Sequence, residues 1–161
     1  MSVSDQIFLR TDKSPAEVAG LLAERLSGHV AERNGTTWLF LDPAVLMGHS
    51  DRTPGDDFGG PVVAHRSELP FRPDGEFEAT DFYNVELRLW LSGTKRGEFE
   101  ALLADKFFAV VAAEGFTAVH VRNDDVLIRA AMPGAGTREF PVGTTIYDSD
   151  QERWGGFVLT S

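Results

Sequence analysis

Apolar and polar residues alternate most regularly between Asp81 and Met132, and the rest of the chain is arranged around that stretch. Tyr83, Val85, Leu87, Leu89 and Leu91 alternate with Asn84, Glu86, Arg88 and Trp90, the period of a half-buried strand. Ser92-Gly93-Thr94 then turns into a helix over about 95–114, with Phe99, Leu102, Leu103, Phe107, Val110 and Val111 at helical spacing and Gly115 as its stop. Thr117–Arg122 and Val126–Ala131 read as a hairpin around Asn123-Asp124-Asp125.

The same order occurs nearer the N-terminus. Gln6–Thr11 reads as a strand. Ser14-Pro15-Ala16-Glu17 carries the residues of a capping box with proline at the first helical position. Val18, Leu21, Leu22 and Leu26 give that helix one apolar face, and Gly28 is its expected stop. His29–Arg33 and Thr36–Leu41 flank Asn34-Gly35, a strong signal for a two-residue hairpin turn. Asn34-Gly35-Thr36 is formally a glycosylation sequon as well, but the turn accounts for it.

Between the two units, residues 42–81 form a long irregular segment with five of the eight prolines; Pro61–Ala64 is a candidate short strand there. The tail contains Gly134-Ala135-Gly136, which lacks the third glycine and the following helix of a dinucleotide fingerprint. Thr144–Tyr147 and Gly156–Thr160 read as two last strands. The expectation is a single α+β domain over 1–161: a two-layer sandwich with an antiparallel or mixed sheet, two main helices on one face, and a strand-helix-strand-strand pseudo-repeat.

Alternation then assigns faces. Ile7, Leu9, Val85, Leu87, Leu89, Val119, Val121, Val126 and Ile128 are expected to meet the helices. Phe8, Arg10, Glu86, Arg88, Trp90, His120, Arg122, Leu127 and Arg129 are expected on the other face, which mixes arginines with aromatics, the residue types enriched at binding hot spots.

Charge and composition narrow the function. A net charge of −10 disfavours nucleic acid and anionic membranes, and no apolar run approaches the roughly 20 residues of a membrane span. With no cysteine there is neither a disulfide framework nor a thiolate metal site. The N-terminal residues lack the basic and apolar regions of a signal peptide, so a cytoplasmic location is expected.

The four histidines, His29, His49, His65 and His120, show no metal-ligand spacing, and Asp51, Asp56 and Asp57 lack that of a calcium loop. No cofactor or catalytic residue is expected. Asp74, Glu76, Glu78 and Asp81 read as a solvated acidic edge, and with Asp56 and Asp57 they are the expected contact for a basic protein partner. Asp148, Asp150 and Glu152 make a second acidic patch beside Trp154.

In outline the chain resembles the small acidic α+β immunity proteins of bacterial polymorphic toxin systems. The resemblance covers most of the chain: the N-terminal strand and capped helix, the Gly/Pro-rich middle, the alternating strand Phe82–Leu91, and the helix and hairpin that follow. It implies a non-enzymatic inhibitor that plugs a toxin's active site or a nearby surface. The candidate contacts are then the acidic edge, or the face bearing Glu86, Arg88, Trp90, His120, Arg122 and Arg129, which a purely acidic plug would not need. Two alternatives remain. One is a small enzyme or ligand-binding domain with a pocket between the sheet and 42–81, lined by His49, His65, Arg88 and His120; the other is a structural subunit of an assembly.

Overall fold

The computed structural model describes residues 5–40, 62–65, 76–89 and 96–161. Among them, eight strands form one antiparallel sheet: β1 (Asp5–Arg10), β2 (His29–Arg33), β3 (Thr36–Phe40), β4 (Val62–His65), β5 (Val85–Leu89), β6 (Thr117–Arg122), β7 (Val126–Met132) and β8 (Gly136–Glu139). Their spatial order is β2-β3-β4-β5-β1-β6-β7-β8, an open sheet rather than a barrel. The helices are α1 (Pro15–Leu26), α2 (Arg96–Ala113) and the one-turn α3 (Gln151–Trp154), which follows a 3-10 turn over Asp148–Asp150.

β1 lies between β5 and β6, with Ile7 opposite both Leu87 and His120. Because β5, α2 and β6 run in sequence, the crossover through α2 steps over β1, a split βαβ arrangement. The hairpins β2-β3 and β6-β7 stand on either side of the central pair. They are not placed alike: β6 touches β1 directly, whereas β4 separates β3 from β5.

Local chemistry sets the element ends. The amide of Glu17 donates to Ser14 Oγ at 3.1 Å, capping α1 as its sequence requires. Its C-terminal stop is Ser27, not Gly28: Ser27 takes the left-handed conformation (φ 56°), and the Gly28 amide donates to Ala23 O at 2.9 Å. Asn34 and Gly35 both have positive φ, the requirement of a two-residue turn matched to strand twist. Gly134 and Gly136 belong to the β7-β8 hairpin, with Met132 opposite Gly136, so the glycine pair turns a chain rather than cradling a phosphate.

Two apolar clusters sandwich the sheet's backbone. On one face Ile7, Leu9, Val63, Val85, Leu87 and Leu89 pack with Val18 and Leu22 of α1 and with Leu103, Phe107, Phe108 and Val111 of α2. Phe108 takes the place expected of Leu102, whose residue is 49% exposed. On the other face Phe8, Val119, Val121, Leu127 and Ala130 pack with Ala79, Tyr83, Phe140, Ile146, Trp154 and Val158.

This second cluster corrects the face assignment of β6. Val119 and Val121 lie away from the helices, while His120 lies toward them, opposite Ile7. The alternation itself was legible. Its phase was not, because both faces are apolar and an apolar residue alone does not say which cover it meets. A register irregularity beside His120 and Val121 shifts β7 by one residue at Ile128, so Arg129 sits opposite His120 and Leu127 opposite Val121.

The tail reaches the second face without the two last strands expected for it. Thr145 and Tyr147 make single bridges to Val126 and Glu78, and residues 155–161 have no regular structure. Trp154 is 1% exposed, and its Nε1–H donates to Thr145 O at 3.0 Å. Arg138 lies over the rings of Phe140 and Phe157. Gly155, at φ +60°, leaves the space that the Arg138 guanidinium occupies; a Cβ there would collide with it. Tyr83 joins tail to sheet: the Leu159 amide donates to its hydroxyl at 3.1 Å, and burial pushes its pKa up to about 12, partly opposed by that bond.

Two outcomes are expected. Asn123 and Asp124 turn β6 into β7 with φ of 55° and 65°. Asp124→Gly should therefore raise the urea midpoint, by up to about 1 kcal/mol of stability. For Tyr83, raising the folded-state pKa from 10.0 to about 12 makes stability intact below pH 10 and progressively lost as pH rises to about 12. Tyr83→Phe should flatten that part of the alkaline unfolding profile while costing about 1 kcal/mol at neutral pH.

Candidate functional site

Strand register places the charged residues of the central sheet into two groups on opposite faces. On the helix face, Asp5 is in phase with Ile7 and Leu9 and directly opposite Arg122. Its Oδ1 accepts from Arg122 Nε at 3.1 Å and faces His120 Nε2 at 2.7 Å. The Asp5 and His120 side chains are fully buried, and that of Arg122 is 32% exposed. Next along the row, Arg129 Nη2 donates to Asp105 Oδ1 of α2 at 2.6 Å. Phe108 contacts both neighbours, its ring centroid 6.3 Å from that of His120 and 5.6 Å from the Arg129 guanidinium carbon.

This is a polar seam between α2 and the sheet. The cost of burying an acid and an imidazole is offset in part by their mutual contact and by the further donor of Arg122.

The opposite face carries Glu86 and Arg88 of β5. Glu86 Oε1 accepts from Gln6 Nε2 at 2.8 Å and from Arg88 Nε and Nη2 at 3.3 and 3.2 Å. The Arg88 side chain is 62% exposed. One cross-strand row on this face runs Ala31, Trp38, Val62, Arg88, Gln6, Val121, Leu127. Its inner end is covered by the tail cluster. At the other end the rings of His29, Phe40 and Trp38 stack in series, at centroid separations of 5.3 and 6.3 Å.

The expected contacts therefore divide. Glu86 and Arg88 lie on the face assigned to them; His120, Arg122 and Arg129 lie on the helix face, engaged in the seam. Of the acidic edge, Glu76 is exposed and Glu78 half-buried. Asp81 is 5% exposed, and its Oδ2 accepts from the Glu78 amide at 2.9 Å, closing the turn that lets Ala79 and Tyr83 reach the core. Asp56, Asp57, Asp74, Trp90 and His49 lie outside the described residues.

In the second acidic patch, Asp150 Oδ2 accepts from both the amide and hydroxyl of Thr145, at 2.8 and 2.7 Å. Those bonds, with Arg153 nearby, hold its carboxyl below the usual range.

Sequence reasoning passed over Asp5, Gln6 and Asn84. Asn84 Oδ1 accepts from the Thr11 amide, and its Nδ2 donates to Thr11 O, so one side chain clamps the exit of β1 to the entry of β5. Asp5 did carry a signal: it is in phase with Ile7 and Leu9, and an acid on a core face needs a partner.

Among the described residues no three His, Asp or Glu side chains gather as metal ligands. His65 is exposed on β4, three strands from β6, which at about 4.8 Å per strand sets it at least roughly 14 Å from His120. No helix among them is long and apolar enough to cross a membrane. Comparison with protein-family models, curated proteins and solved structures found no match.

Breaking the seam from its centre should be costly. Asp5→Asn is expected to lower stability by about 2–4 kcal/mol in chemical denaturation, less than for a wholly buried pair because Arg122 keeps some water. A loss within about 0.5 kcal/mol would show that Asp5 contributes little, as at an ordinary surface site.

Proposed function

We propose that this chain is a non-enzymatic protein-binding domain, most concretely a cytoplasmic immunity-type inhibitor of a bacterial toxin. It would engage its partner through the sheet face around Arg88. The observation that supports this reading most is the row Trp38–Val62–Arg88, which sets a tryptophan and an exposed arginine two strands apart beside the stacked His29 and Phe40. Arginine and tryptophan are the side chains that most often anchor interfaces. Glu86 neutralises and orients Arg88, so the guanidinium is held in place before a partner arrives.

The acidic residues have a separate role in this reading. A net charge of −10 steers a basic partner toward the domain, with Glu76 and Glu78 at the surface edge. We also propose that the domain is a two-layer sandwich grown from a strand-helix-strand-strand pseudo-repeat, which the order of elements supports. A ligand-binding or catalytic pocket has less support, since His65 and His120 are on separate strands and His120 is fully enclosed.

Affinity capture from the source cells with wild type, Arg88→Glu and Glu76→Lys tests the proposal. Arg88→Glu is expected to cut capture of the partner by tenfold or more, roughly 1.4 kcal/mol. Glu76→Lys should mainly slow association and reduce its salt sensitivity. Equal capture by all three, at equal thermal stability, removes this face from the interface. A captured partner whose activity is untouched by stoichiometric addition of the domain overturns the inhibitor reading.

A further inference from the structure

The buried polar atoms of the seam under α2 include some that no described residue satisfies. His120 Nδ1 and Arg129 Nε are both buried, and among the described residues neither has a hydrogen-bond partner. They belong to residues directly opposite each other across β6 and β7, on the helix face. Side chains so paired have Cβ atoms only about 5 Å apart. His120 Nε2 meets Asp5, and Arg129 Nη2 meets Asp105.

The chemistry of the two atoms is complementary. Asp5 Oδ1 already accepts from Arg122 Nε, and a carboxylate oxygen in that role is served by an N–H on His120 Nε2. With the ring neutral and its proton on Nε2, Nδ1 presents a lone pair. Arg129 Nε–H is always a donor. One atom wants a donor and the other an acceptor, and each would otherwise carry the cost of desolvation without compensation.

We infer that His120 Nδ1 and Arg129 Nε form a binding site for a single buried water, which donates to the first and accepts from the second. A bare anion offers no proton to Nδ1, and a metal cation is repelled by the guanidinium, so the site selects a neutral hydroxyl-type oxygen. Two protein partners satisfy the usual minimum for a buried water. The water completes a chain of hydrogen bonds from Asp105 through Arg129, His120 and Asp5 to Arg122, crossing the interior from one partly exposed end to the other. Because its members come from α2, β1, β6 and β7, the chain fixes how the helix is seated over the sheet.

A crystal structure at about 1.5 Å together with 15N NMR of the His120 ring tests this. The expected result is an ordered oxygen within hydrogen-bond distance of both nitrogens, a neutral ring protonated at Nε2, and nuclear Overhauser contacts from that ring to a long-lived water. Arg129→Lys keeps the charge but removes the Nε donor, and should abolish the water contacts while leaving the His120 tautomer unchanged. A direct Arg129–His120 bond with no oxygen between them overturns the inference, as does an Nδ1–H tautomer. Bromide occupying the position in a halide soak does so too, since it would require a cationic ring.

Discussion

The structure depends on burying β1 on both faces. Asp5 through Leu9 are all enclosed, with hydrogen-bonded strands on either side. A strand so placed must satisfy two covers at once, and its side chains divide accordingly: Asp5, Ile7 and Leu9 toward the helices, Gln6 and Phe8 toward the opposite face. Both clusters and both polar groups are attached to this strand. Asp5 leads to the His120 seam, and Gln6 leads to Glu86 and Arg88.

Polar groups in these positions do two different jobs. The buried seam adds little net stability over an apolar replacement of matched shape, whereas removing one partner alone is costly. It ties α2 to the sheet, with Asp105 on Arg129 and Phe108 against both Arg129 and His120. On the opposite face, Arg88 is largely in water, so its pairing with Glu86 adds little to stability. It is an exposed cation oriented by Glu86 on a central strand of the sheet. The same residue types thus serve the fold on one side and stand in water on the other, and burial distinguishes them.

The tail shows how the second cover is built without regular structure. Single bridges at Thr145 and Tyr147, the Trp154 indole bond and the Tyr83–Leu159 bond tie it down point by point. Asp81 and Asp150, both acids that sequence alone placed on solvated patches, instead accept backbone amides that shape the turns carrying this cover. Short polar side chains hydrogen-bond nearby amides readily, so an acidic run in sequence does not distinguish a charged surface from a set of turn caps.

What the sequence by itself determined was local. The capped start of α1, the Asn34-Gly35 hairpin, the alternation of β5, the extent of α2 and the short strand near Pro61 are each governed by neighbours within a few residues, and each was legible. The α+β class followed from their order. Tertiary structure decided which way β6 faces, that Gly136 begins β8, that Ser27 rather than Gly28 ends α1, and that His120 is interior. Those outcomes depend on what packs against each element from far along the chain. For β6, that cover is a tail with no periodicity of its own, so no local pattern carried the information.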